Sequence, residues 1–164
     1  MIKVYGSPKR QDCLTKVGLH TYELIYGFGK DDTSDETGYN WRERFNHVPT
    51  TAEIKECIEN QINANTAEII LTGMKWNGKP VWLSTENQIN LKAAYDLARE
   101  TDGENLPKKF KLGEDENGAP VYHTFTKIEA FSDFIKKMVE HISTAVNMGY
   151  EEKDSVDYSK FNLQ

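Results

Sequence analysis

Four histidines, two cysteines and a scatter of carboxylates are the side chains of this sequence that could carry metal, nucleophilic or acid–base chemistry. Their spacing supports none of these. His20, His47, His123 and His141 form no HxxxH or HExxH pair, so no two imidazoles share a helical turn as metal ligands do. Cys13 and a distant histidine lack the local motif of a thiol nucleophile, and Cys57 lies beside the apolar line of a helix, as a small core residue would. The two cysteines have no CxxC spacing and read as free thiols of a reducing cytoplasm. Glu151-Glu152 and Asp31-Asp32 read as solvated loop charges rather than an acid–base pair. Gly27-Phe28-Gly29-Lys30 is too short for a phosphate loop and runs into Asp31, where a magnesium-binding hydroxyl is needed. No catalytic, cofactor-binding or metal-binding residue is therefore assigned, and the chain reads as a non-enzyme. The alternative is a small enzyme or ligand-binding protein with a site between repeated units, which would have to gather His123, Glu129 and Cys13.

Aromatic residues are the more distinctive feature. Trp76 and Trp82 flank an Asn-Gly turn, Tyr122 takes the place of Trp82 in a second copy, and Tyr158 and Phe161 punctuate a charged tail. Such side chains either pack across strands onto the next helix or stand exposed as interface anchors. Under the second reading, Trp76, Trp82, Tyr122, Tyr158 and Phe161 are the candidate protein-binding residues.

The elements that hold them follow from an internal similarity. Asn77-Gly78-Lys79-Pro80-Val81-Trp82 recurs as Asn117-Gly118-Ala119-Pro120-Val121-Tyr122, forty residues on. Asn-Gly tolerates positive φ at both central positions, so each copy is expected to be a tight hairpin turn. Pro80 and Pro120 lack an amide donor and belong at strand starts or edges. Thr85-x-x-Gln88 and Thr126-x-x-Glu129 have the form of capping boxes, so a helix should follow each hairpin. The first helix, from about 86 to 100, offers Ile89, Leu91, Ala94, Tyr95 and Ala98. The second carries Ile128, Phe131, Ile135, Met138, Ile142 and Val146 at helical spacing, with Gly149 as its expected C-cap.

Upstream, Leu19 to Phe28 and Trp41 to Val48 read as strands, separated by an acidic loop, Lys30–Gly38, with little reason to order itself. Thr50-x-x-Glu53 then caps a helix whose apolar line is Ile54, Ile58 and Ile62. This stretch reads either as a degenerate third copy or as a segment of its own. The fold expected is α+β, built of β-hairpin-plus-helix units: a β-rich segment 1–66, units at 67–105 and 106–150, and an arm at 151–164 that docks on itself or on a neighbour.

Charge and hydropathy narrow the partners. A net charge of −6 with dispersed lysines argues against nucleic acid, whose affinity depends on a basic stripe releasing counterions. Apolar runs such as Ala67–Leu71 fall far short of a membrane span, and no secretory leader pattern opens the sequence.

The stretch Trp76-Asn77-Gly78-Lys79-Pro80-Val81-Trp82-Leu83-Ser84-Thr85-Glu86-Asn87-Gln88 resembles an uncharacterised domain family of phages and prophages, often encoded near tail genes. The resemblance covers about residues 69–157. It implies a tail or head–tail accessory component located in the virion and assembled in the host cytoplasm. Other phage structural proteins would be its partners in a homo- or hetero-oligomer. A tail-fibre assembly chaperone is the alternative within that setting.

Overall fold

In a computed structural model describing residues 1–163, the chain is α+β, with eight strands in antiparallel sheets and three helices. It divides into two compact units: residues 1–63 with the segment from Glu152 onward, and residues 64–151.

The first unit is a four-stranded sheet against one helix. Its strands are β1 (Ile2–Ser7), β2 (Cys13–Lys16), β3 (Tyr22–Gly29) and β4 (Gly38–Phe45), in the order β1-β4-β3-β2. The central strands β3 and β4 are those legible from sequence. The edge strands were not, because β2 has only four residues and β1 is exposed except at Val4 and Ser7, so neither shows a period of two. The helix α1 (Thr51–Thr72) buries Ile54, Ile58 and Ile62 against Leu14, Leu24 and Tyr26, with Cys57 at the margin. The acidic loop is tied down more than its composition suggests. Asp31 accepts from the Lys3 ammonium at 3.0 Å and the Tyr5 hydroxyl at 2.7 Å, and Asp32 caps the amide of Ser34 at 2.8 Å.

The second unit contains the two hairpins. The first pairs β5 (Met74–Trp76) with β6 (Lys79–Val81), and the second pairs β7 (Lys108–Glu114) with β8 (Pro120–Phe125). Helix α2 (Thr85–Glu100) follows the first and α3 (Ile128–Asp154) the second. The Asn-Gly turns are not equivalent. Asn77 and Gly78 both adopt positive φ, as a two-residue turn requires, whereas at the second turn only Gly118 does. There Asp115 organises a longer loop: its amide donates to the Ala119 carbonyl, and its carboxylate accepts from the amides of Asn117 and Ala119 at 2.9 Å. The acid two residues before Asn117 supplies a competing turn, which the six-residue similarity did not register.

Both hairpin–helix segments close over one core. Met74, Trp76, Val81, Leu83, Leu112 and Phe125 from the strand regions meet Leu91 and Ala98 of α2 and Phe131, Phe134, Ile135 and Met138 of α3. Ile89, expected on the inner face of α2, is instead exposed, one residue off the Leu91–Ala98 line. Ser84 rather than Thr85 caps α2, accepting from the Asn87 amide at 3.2 Å. Gly149 does not end α3, which continues to Asp154. A Cβ at Gly149 would lie 2.5 Å from Thr66 Oγ1, so the glycine allows α3 to pass close to α1.

The segment 155–163 docks on its own chain. A 3₁₀ turn, Tyr158–Phe161, seats Phe161 in the core of the first unit, and the Tyr26 hydroxyl donates to Glu152 at 2.8 Å. Among the described residues, no helix is long and apolar enough to cross a membrane.

Candidate protein-contact face

Alternation along the hairpins sorts their side chains onto two faces. Met74, Trp76, Val81, Phe110, Leu112, His123 and Phe125 point inward or pack at the core margin. The paired positions between them, Lys75 with Pro80, Lys109 with Thr124 and Lys111 with Tyr122, form the opposite face. Trp82 continues that face, lying between the buried Val81 and Leu83. The two hairpins meet edge to edge, where the Trp82 amide donates to the Leu112 carbonyl at 2.6 Å. A bulge in β7 between Lys111 and Gly113 accompanies the junction.

Of the five aromatics singled out by sequence, two lie on this face. Trp82 is 48% exposed and Tyr122 47%, with the Lys109 ammonium 4.3 Å from the Tyr122 ring centroid. Trp76, a contact candidate only under the exposed reading, is 5% exposed and meets Phe134 edge-on at 5.2 Å, so it packs across the strands into the core instead. Its partner across the turn is Lys79, so it shares the inward face of Val81 rather than that of Trp82. Phe161 is likewise buried, at 3%, and Tyr158 is half-buried beside it, its hydroxyl without a hydrogen-bond partner among the described residues. A terminal segment carrying few apolar residues covers more apolar area on its own core than in water, which is why the tail aromatics turn inward.

Beside Trp82 lies a cleft of about 400 Å³ lined by Trp82, Ser84, Asn87, Lys111, Gly113 and Glu114. The Lys111 ammonium reaches Glu114 at 2.7 Å, a pairing that raises the lysine pKa. Asn87 donates through Nδ2 to the Trp82 carbonyl at 2.8 Å, which fixes the start of α2 against the strand end and leaves its side-chain oxygen to accept. Buried Gly113 keeps the floor low, since a Cβ there would meet the Pro80 carbonyl at 3.3 Å and Trp82 Cβ at 3.6 Å. Apart from Trp82, none of these residues stands out by spacing. They converge because the bulge and the hairpin junction bring them together.

The groups with catalytic potential are dispersed. His123 meets Phe125 edge-on at 4.6 Å and lies near Trp76, and its pKa is lowered, first by burial and then by Lys79. His141 Nε2 lies 2.9 Å from the Ile69 carbonyl, a structural link between α3 and α1. Glu129 lines a separate shallow cleft with Tyr95, Ser132, Asp133 and Lys136, while Cys13 belongs to β2 of the other unit. Among the described residues no cluster of His, Cys, Asp and Glu has the makings of a metal site. Both cysteines are free and half-buried, and burial raises their thiol pKa values. One charged cluster escaped the sequence reading. Glu23, only 4% exposed, accepts from Arg42 Nη1 and Arg44 Nε, each at 2.9 Å. Glu23 and Arg44 face each other across β3 and β4, a register that sequence alone does not reveal.

No family model, no curated protein and no solved structure matches this chain.

Proposed function

We propose that the chain is a non-enzymatic contact protein, a tail or head–tail accessory component of a phage particle that works by docking the outer hairpin face on other structural proteins. The observation that carries the contact reading is Trp82 and Tyr122. Two large aromatics stand half exposed on a sheet face turned away from α2 and α3, beside a cleft, while the neighbouring aromatics of the same hairpins are buried. Aromatic anchors beside a pocket are what protein interfaces concentrate their binding energy on. The phage setting rests on the hairpin resemblance.

The test is mass spectrometry of purified particles from the phage that encodes the chain, with wild type and the double variant Trp82→Ala/Tyr122→Ala supplied in turn. Association of wild type, lost at least about tenfold in the double variant, supports the reading. A wild-type protein absent from particles and from every assembly intermediate sinks it.

A further inference from the structure

We infer that the outer hairpin face takes an acidic polypeptide segment with two apolar anchors, an inference that rests on the protein-contact reading above. The first ground is charge. The chain is acidic overall, yet strands β5–β8 carry five lysines, Lys75, Lys79, Lys108, Lys109 and Lys111, against one acid, Glu114. Three of the lysines, at 75, 109 and 111, share the outer face with Trp82 and Tyr122. Lys75 and Lys109 are in no ion pair among the described residues, and Lys111 is held by Glu114 alone. Lys109 rests over the Tyr122 ring and Lys111 against Glu114, so the face presents cations that outnumber the one acid beside them and complements an anionic surface.

The second ground is spacing. Trp82, just past the end of β6, and Tyr122 of β8 lie on either side of β7, which carries Lys111 between them. Two strand spacings separate the aromatics by about 10 Å. A segment crossing the face would therefore place two apolar side chains on Trp82 and Tyr122 and an acid between them on Lys111. The cleft beside Trp82 receives one anchor. Its Ser84 hydroxyl, which accepts from the Asn87 amide, keeps its own proton for a backbone carbonyl of the segment.

The same features disfavour the other occupants. A polynucleotide presents a phosphate at every step and needs a continuous basic stripe, whereas Glu114 stands at the rim here and neutralises one of three lysines. A neutral saccharide could stack on Trp82 but would leave Lys75 and Lys109 without a role.

The experiment is fluorescence anisotropy of the full chain with three labelled probes: a random glutamate–tyrosine copolymer, polyglutamate and a thymidine oligonucleotide. The copolymer should bind more tightly than polyglutamate. Lys75→Gln and Lys109→Gln should each weaken it by about two- to fivefold, the range of an exposed charge pair. Glu114→Gln should tighten it by a similar factor, because Lys111 is released to the probe. Trp82→Ala should abolish the preference for the copolymer over polyglutamate. No binding of the copolymer, equal or tighter binding of the oligonucleotide, or weaker binding in Glu114→Gln would each overturn the inference. The contact reading fails separately: association with particles that needs Trp82 and Tyr122 but ignores Lys75 and Lys109 sinks the acidic partner alone, and no association sinks both.

Discussion

Glu23 is the charge most deeply placed in the first unit, and its environment dictates what its loss would do. Two arginines converge on it from one neighbouring strand, and the Arg42 Nε beside it is buried without a hydrogen-bond partner among the described residues. Glu23→Gln would leave a guanidinium facing a neutral amide in a poorly solvated place. A loss of about 2 kcal/mol in urea unfolding is expected, as when a hydrogen bond to a charged group is removed while its arginine partners keep part of their solvent. Arg44 is largely exposed, so Arg44→Ala should cost under about 1 kcal/mol in the same experiment. Equal costs for the two variants would show that the cluster is no more than surface charge.

At the scale of elements, α1 begins with a reciprocal capping box that sequence spacing announced. The Thr50 amide and hydroxyl donate to Glu53 Oε2 at 2.7 and 2.8 Å, and the Glu53 amide donates back to Thr50 Oγ1 at 3.3 Å. The Thr50 amide, then the Thr50 hydroxyl and His47, pull the Glu53 pKa down from 4.5 to about 2. A depressed carboxylate stabilises the fold above its unfolded pKa, so this contribution is complete above pH 4.5 and fades as the pH falls towards 2. Thr50→Ala should lower stability by about 1 kcal/mol at neutral pH. The gap to wild type should narrow in acid, as read by thermal melts across that range.

The passage of α3 beside α1 makes a second prediction at this scale. Gly149→Ala adds a methyl that collides with Thr66 Oγ1 and should destabilise by about 1 kcal/mol, overpacking outweighing the helix preference of alanine. In a Thr66→Ala background the same change should become neutral or stabilising. If the two substitutions simply add, the contact is not what keeps position 149 a glycine.

For the whole molecule, the decisive fact is that Val156, Tyr158 and Phe161 complete the core of the first unit. Phe161 packs with Leu14, Leu24, Tyr26 and the isoleucines of α1, and its ring lies 6.5 Å from that of Tyr26. Phe161→Ala should cost about 3 kcal/mol by opening a cavity. Hydrogen exchange should show the loss of protection first in β2 and β3 rather than in the hairpins of residues 74–125. Faster exchange starting in the hairpins would mean that the two clusters are not separate cores.

What the residues determine by themselves is local. The spacing of Ile54, Ile58 and Ile62, the cap at Thr50 and the Asn77-Gly78 turn fix one helix start and one hairpin, because each depends on neighbours within a turn or two of chain. The α+β class follows from the same periodicities. What needed the tertiary structure is every choice that depends on a distant partner. Trp76 and Trp82 are alike in sequence, yet strand register turns one inward and leaves the other in solvent. Gly149 reads as a helix stop until Thr66 is seen against it, and the tail aromatics read as an interface until their own core claims them. Burial is decided by the contacts that the rest of the chain offers, and a single stretch of residues does not contain them.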